Sequence, residues 1–333
     1  MELIAFILLF CLGFFTIISE KNLILRYLYV PALFVFMVVV RIHGFNFGGY
    51  QKDILTYAIE MHEISFDFYY LREFVFWLGL KFLYVLTKSE IVTFFLLDIL
   101  WIYYLTKVFS RESENKLGKG ILVVLATSFP FVFGYENIYR QFFATIILLY
   151  SYSLIKERPA KAIRLFIVSF FIHNLVLFLI PIFIVKKCFT FNFKDRIIIA
   201  IVISLFFIGL LPFIMHLKDA DPTKVDMSLA YLFLFLGILS FFILKFRDNI
   251  YNILSEIPSL LFLTILMIGY VLFRQEMIAE RLGMMFVIFL IYDLYRYSSK
   301  IENRLKRIML RLALLFAFTL PVLLFNSTMR FLI

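Results

Sequence analysis

Tyr135-Glu-Asn-Ile-Tyr-Arg-Gln-Phe-Phe-Ala144 is a short polar knot set between two apolar runs, Ile121 to Phe133 before it and Phe142 to Leu154 after it. Its reading decides the fold. Apolar runs of that kind on both sides make lipid the natural solvent. An arginine at such depth costs about 2.5–3.5 kcal/mol on insertion scales, so Arg140 is expected to face a cavity or a partner rather than lipid. On a helix, Glu136 lies one turn from Arg140, and Asn137 one turn from Gln141. Donors and acceptors would then gather at one helix end, in a site able to grip an anion at the membrane surface.

The rest of the chain supports a membrane setting. Its 333 residues are 63% hydrophobic and 20% aromatic, with a mean hydropathy of +0.97. A water-soluble domain could not hide that much apolar surface. Only helices and closed barrels satisfy their backbone within lipid, and barrel strands would alternate apolar and polar residues. The runs here are continuous, so the fold class is all-α, a polytopic helical bundle of about 10–12 membrane segments in a single domain spanning 1–333. The formal net charge of +10 reflects Lys and Arg concentrated between apolar runs, a pattern of basic cytoplasmic loops that argues against nucleic acid. The two cysteines, Cys11 and Cys188, offer neither a disulfide framework nor zinc spacing. Met1 to Ser19 has Glu2 in place of a basic n-region and no small-residue cleavage site, and is expected to remain as a first helix.

Helices are expected near 2–19, 23–41, 90–108, 119–134, 137–155, 197–215, 228–245, 253–273, 277–295 and 308–326. Basic loops at 20–26, 107–119, 156–164, 186–196, 245–247 and 296–307 all fall on one side if the positive-inside rule holds. Two of them flank 162–185, so that stretch must enter and leave on the same face. Two half-helices meeting near His173-Asn174 solve this, since a polar break is tolerated where it lines protein or water. Segment 71–87, with Trp77 and Lys81, is expected at the outer interface. The outer face then collects Arg41, His43, Asp53, Tyr57, Glu60, His62, Glu63 and Asp67, together with the polar knot, His173 and Asn174, and a late group of Arg274, Glu276, Glu280 and Arg281.

Guanidinium groups at separate helix ends suit phosphate or pyrophosphate, whose oxygens accept paired N–H bonds. The competing reading pairs each with a neighbouring acid, Arg140 with Glu136 and Arg281 with Glu280. Asp53 or His173 could serve as a general base, although a solvated loop carboxylate and a satisfied core imidazole are the plain alternatives. Asp219-Ala-Asp221 has the form of a metal-holding pair, but Lys218, Pro222 and Lys224 mark it as an exposed turn. No glycine-rich phosphate loop, zinc spacing or nucleophile elbow is present, so no metal and no cofactor is expected.

At these residues the chain resembles the Wzy/EpsG-type polysaccharide polymerases. The resemblance rests on Asp53-Ile-Leu-Thr-Tyr57, then Arg72-Glu-Phe-Val-Phe76 carrying Glu73, then Asn137-Ile-Tyr-Arg140-Gln-Phe-Phe-Ala144 carrying Gln141, and Phe170-Phe-Ile-His173-Asn174. Arg281 matches a late arginine before a membrane helix. Two departures stand out. Gly48-Gly-Tyr-Gln-Lys52 replaces a Gly-x-Asp entry, and Asn174 replaces a small residue.

The resemblance implies a membrane glycosyltransferase of bacterial surface-polysaccharide assembly (O-antigen, capsule or exopolysaccharide). It would act at the outer face of the cytoplasmic membrane on oligosaccharide repeat units carried by undecaprenyl pyrophosphate. Asp53, Arg140 and His173 would be catalytic, and Tyr57, Glu73, Asn137, Gln141, Arg274 and Arg281 would bind substrate. A flippase and a chain-length regulator are expected companions. Two other readings remain open: a transporter or flippase of lipid-linked oligosaccharides, and another lipid-dependent transferase such as an O-antigen ligase.

Overall fold

The computed structural model describes residues 2–46, 53–63, 67–112, 120–155, 157–187, 228–245, 256–272 and 276–324, with isolated positions at 195, 198–199, 201–203, 205–206, 209, 254 and 332. These residues are helical, with no strand among them, as the continuous apolar runs require. In chain order the principal helices are α1 (Glu2–Ser19), α2 (Val30–Asn46, entered through a π turn at Leu25–Tyr29), α3 (Asp53–Glu63), α4 (Phe74–Thr87), α5 (Glu90–Glu112), α6 (Ile121–Ala126) and α7 (Phe129–Glu136). They continue as α8 (Tyr139–Leu154), α9 (Pro159–Ile172), α10 (Ile180–Lys187), α11 (Ser228–Lys245), α12 (Pro258–Leu272), α13 (Glu276–Ser299) and α14 (Arg304–Leu324). Among the described residues, four stretches are long and apolar enough to cross a membrane: Glu2–Ser19, Leu25–Phe45, Glu90–Phe109 and Arg304–Leu324. The chain is a multi-pass membrane protein.

The described chain falls into two compact units. The first comprises Met1–Leu154, Ala160–Asn174 and Ser298–Ile333, and the second Ile155–Pro159 and Leu175–Tyr297. In the first unit, α8 lies along α5 and is covered on all sides, burying every residue except Arg140 and Ser153. Helix α1 packs on α2 and α14. It approaches α6 closely because Gly13 has no side chain; a Cβ there would stand 2.6 Å from Val123 Cγ1.

The expected helix over 119–134 is two helices. Pro130 in the first turn of α7 has no N–H to extend α6, and Ser128 turns to extended backbone (φ −76°, ψ 153°). The freed carbonyls are occupied: Thr127 Oγ1 donates to Val123 O at 3.0 Å and Ser128 Oγ to Leu125 O at 2.7 Å. Tyr29 reaches the same Val123 carbonyl at 3.3 Å. A second break at Asn137 separates α7 from α8, so Glu136 and Arg140 do not share a continuous helix. Gly134 lets Phe142 fold back against α7, since a Cβ would lie 2.7 Å from its ring.

The break expected inside 162–185 is present. α9 ends at Ile172, a 3-10 segment runs over Asn174–Leu179, and α10 follows. Segment 71–87 forms α4, shorter than a full span.

Arg41 is not an outer-loop cation, as the sequence suggested. It lies inside α2 at 3% exposure and forks onto Asp98 of α5, with Nε to Oδ2 at 2.8 Å and Nη2 to Oδ1 at 2.9 Å. Asp98 also accepts from Trp101 Nε1 (3.0 Å), Tyr135 OH (2.9 Å) and Tyr139 OH (2.8 Å). The Arg41 guanidinium lies 3.8 Å from the Tyr135 ring centre and 4.8 Å from that of Tyr139. A buried pair this well supplied with hydrogen bonds is tolerable, and loss of one partner costs about 3–5 kcal/mol. Because Tyr135 and Tyr139 flank the α7–α8 break, the pair fixes the polar knot from below.

In the second unit, α12 packs against α10 and α11. Asp293 of α13 accepts the backbone N–H of Ser259 in the first turn of α12 at 3.2 Å, a favourable place for a carboxylate at a helix N-terminus. Gly283 seats Tyr231, whose ring would be 2.4 Å from a Cβ at that position. Arg281 is half-buried on α13. Arg274, the Gly48–Lys52 stretch and Asp219-Ala-Asp221 lie outside the described residues.

Candidate active site

Three separate segments of the first unit meet at Glu73. This residue precedes α4 in a non-helical conformation (φ −130°, ψ 43°) and is 2% exposed. A carboxylate that deep needs donors on both oxygens. Oε2 accepts from Arg140 Nη1 in a short ion pair. Oε1 accepts the backbone N–H of Asn174 at 3.2 Å, and His173 Nδ1 stands 3.9 Å from the same oxygen. The break between α9 and the 3-10 segment therefore supplies Glu73 with the N–H that a continuous helix would have used internally.

Arg140 opens α8 with a side chain 13% exposed. Its guanidinium is bounded by aromatic rings, 4.8 Å from the centre of Trp77, 5.0 Å from Tyr57 and 5.9 Å from Phe76. Ring faces carry negative potential and hold a desolvated cation well. Tyr57 is presented from one turn inside α3 and meets Phe76 and Trp77 edge-on at 5.8 and 5.9 Å. The start of α3 is tied to the knot: the backbone N–H of Asp53 reaches Asn137 Oδ1 at 3.4 Å. Gln141 is buried beside Arg140.

The competing reading paired Arg140 with Glu136 by their spacing; Arg140 pairs instead with Glu73. The helix break at Asn137 puts Glu136 and Arg140 on different helices. Asp53, Tyr57, Glu73, Asn137, Arg140, Gln141 and His173 all belong to the first unit, and Arg281 belongs to the second. Other outer-loop groups named from the sequence have local partners. His43 Nδ1 lies 2.9 Å from Glu2 and His62 Nε2 2.8 Å from Glu90. Tyr70 donates to Glu60, whose carboxylate pushes the phenol up to about 12, so Tyr70 stays protonated and neutral.

Sequence reasoning passed over the aromatic wall. Tyr69 and Tyr70 contact Trp77 at 5.9 and 5.3 Å, and the Arg72 guanidinium sits 4.8 Å from the Tyr69 ring. Trp77 was expected at a lipid interface and is fully buried. The buried Trp77 lies one turn inside α4, four positions after Glu73 at its N-terminus. Among the described residues no cluster of His, Cys, Asp and Glu could hold a metal ion.

The described residues thus form an all-α membrane protein with an arginine–glutamate pair at the head of an enclosed helix. The model of the EpsG family matches residues 27–332, nearly the whole chain, and the protein belongs to that family. Membership carries a polysaccharide-polymerase type of function, glycosyltransferase-like in general kind. Neither the comparison with curated proteins nor that with solved structures finds a match.

Proposed function

We propose that this protein polymerises oligosaccharide repeat units carried on undecaprenyl pyrophosphate, at the outer face of the bacterial cytoplasmic membrane and without a metal ion. The observation that carries this reading is the meeting of Arg140, Glu73 and His173, contributed by three distant parts of the chain. In the proposed step, an acceptor sugar hydroxyl attacks the anomeric carbon of the donor. The bond from that carbon to the pyrophosphate oxygen breaks, and the lipid pyrophosphate leaves with the electron pair. Arg140 would stabilise the departing charge, for which a planar guanidinium in a water-poor site is well suited. His173 would take the hydroxyl proton, with Glu73 favouring the imidazolium that results. Asn137 holds the first turn of α3 and so sets Tyr57 against the guanidinium. Pyrophosphate is already an activated leaving group, so orientation and charge stabilisation are what the protein must supply.

The test is to give the purified protein lipid-pyrophosphate repeat units in EDTA and to resolve the products by length. A ladder of increasing length is the expected result. Movement of the lipid across the bilayer without new glycosidic bonds would mark a flippase, and a strict divalent requirement would overturn the metal-free step.

A further inference from the structure

Beside the Glu73–Arg140 pair lie three N–H groups that neither this pair nor any other described residue engages. Trp77 Nε1, Arg140 Nε and Arg72 Nε are all buried and have no hydrogen-bond acceptor among the described residues. Such donors are rare in folded proteins, and each is costly, more so where the group is charged. Here the three share one wall. The Arg140 guanidinium lies 4.8 Å from the Trp77 ring, Tyr69 is 5.9 Å from Trp77, and the Arg72 guanidinium is 4.8 Å from Tyr69. Trp77 itself is 0% exposed, so its N–H has no access to bulk water in this conformation. Glu73 pairs with the Arg140 guanidinium, and Tyr70 of the same wall donates to Glu60.

The setting of the wall narrows what could fill it. An indole N–H can only donate, and so can both guanidiniums, so the occupant must offer acceptor oxygens at several points. Immediately beside it, Phe68 is 81% exposed, Leu71 42% and Phe74 38%. These residues form an apolar rim on the short helix Phe68–Leu71 and the first turn of α4. A dense anion next to an apolar tail matches both halves of that surface. We infer that Arg72, Trp77 and Arg140 together form a subsite for a prenyl diphosphate, with Phe68, Leu71 and Phe74 receiving its hydrocarbon. Tyr69, which is 43% exposed and covers Trp77, must turn aside to admit the phosphate. The assignment rests on the polymerase reading and deepens it. It makes Arg72 the second guanidinium on the donor diphosphate and Trp77 a donor of specificity that lysine or phenylalanine could not replace.

The experiment is direct binding to the full chain in lipid nanodiscs, with farnesyl diphosphate, inorganic pyrophosphate and farnesol as probes. Trp77→Phe keeps a six-membered aromatic ring and removes the N–H with the rest of the pyrrole ring, a loss of volume that the farnesol control registers. It should weaken farnesyl diphosphate and pyrophosphate about tenfold and leave farnesol unchanged, as should Arg72→Gln. Phe68→Ser with Phe74→Ser should weaken farnesyl diphosphate and not pyrophosphate, which separates a lipid head group from a free phosphate site. Unfolding temperatures are measured alongside, and Arg72→Lys replaces Arg72→Gln if the latter fails to fold. Binding of farnesyl diphosphate to Trp77→Phe within twofold of wild type overturns the subsite. A wild-type protein that makes polymer while Trp77→Phe binds normally leaves the polymerase reading intact. Loss of diphosphate binding in Trp77→Phe, in a protein that makes no polymer, sinks that reading and keeps the subsite.

Discussion

Two buried arginines within one unit illustrate opposite uses of the same side chain. Arg41 forks onto Asp98, and that carboxylate is further satisfied by Trp101, Tyr135 and Tyr139. Arg140 meets Glu73 through one nitrogen, keeps its Nε without an acceptor, and shares its carboxylate with the N–H of Asn174. Both cations lie against aromatic rings, so burial and ring contact do not distinguish them. Completeness does. The Asp98 carboxylate is filled with donors, and the pair acts as a cross-tie between α2, α5 and the α7–α8 break. The unsaturated pair retains donors at the head of an otherwise enclosed helix, where a substrate can use them.

The sharpest way to break this contrast is to remove one partner from each pair. Asp98→Ala leaves Arg41 buried and unpaired and should destabilise the protein by about 3–5 kcal/mol, read as loss of folded yield and a lower unfolding temperature. If Asp98→Ala folded with wild-type stability, the cross-tie would be reduced to an incidental contact. Arg140→Lys keeps the charge and loses the fork. It should leave stability nearly intact while slowing chain extension by about a hundredfold or more. Polymer of wild-type length and amount from that variant would remove Arg140 from the chemistry.

Smaller changes sharpen the comparison. Tyr139→Phe removes a single hydroxyl from Asp98 and should cost about 1.5–3 kcal/mol, the range for a hydrogen bond to a charged group. Its polymer-forming rate per folded molecule should fall far less than that of Arg140→Lys. The smallest effect concerns Glu20, outside the spans, where Arg304, Arg307 and Arg311 converge at 3.5, 2.9 and 3.1 Å. The hydrogen bond from Arg307 is the leading cause holding the Glu20 carboxyl below its ordinary value. A depressed folded pKa gives stability that is present above the unfolded value of about 4.3 and lost as pH falls through the lowered one. Wild type should thus lose part of its advantage over Glu20→Gln on acidification below about pH 4.3. Parallel curves for the two proteins would show that the cluster contributes nothing through that carboxylate.

How much could be read beforehand depends on the range of the interaction. The helical fold and the break at His173 were legible because each is written locally, in apolar runs and in polar residues interrupting them. Asp53, Asn137, Arg140 and His173 were singled out for the same reason. The partner of Arg140 was not legible by spacing, since Glu73 is 67 positions away and the nearer Glu136 is turned off by a break at Asn137. Asp98 was overlooked although a lone carboxylate in an apolar helix is itself a signal. Its counter-ion lies 57 positions earlier, in a stretch whose end was mistaken for loop. The α6–α7 break was announced by Pro130 and missed because the run on either side is uniformly apolar.

The Glu73 carboxylate has one more consequence. In the proposed reaction it would be a resident rival for the cation that a diphosphate seeks, so an arriving carrier would have to displace it and its return would push the spent carrier out. Tight capture would thereby be forfeited in exchange for rapid clearance. An enzyme that repeats one transfer many times on a growing strand would be throttled by a head group that lingered.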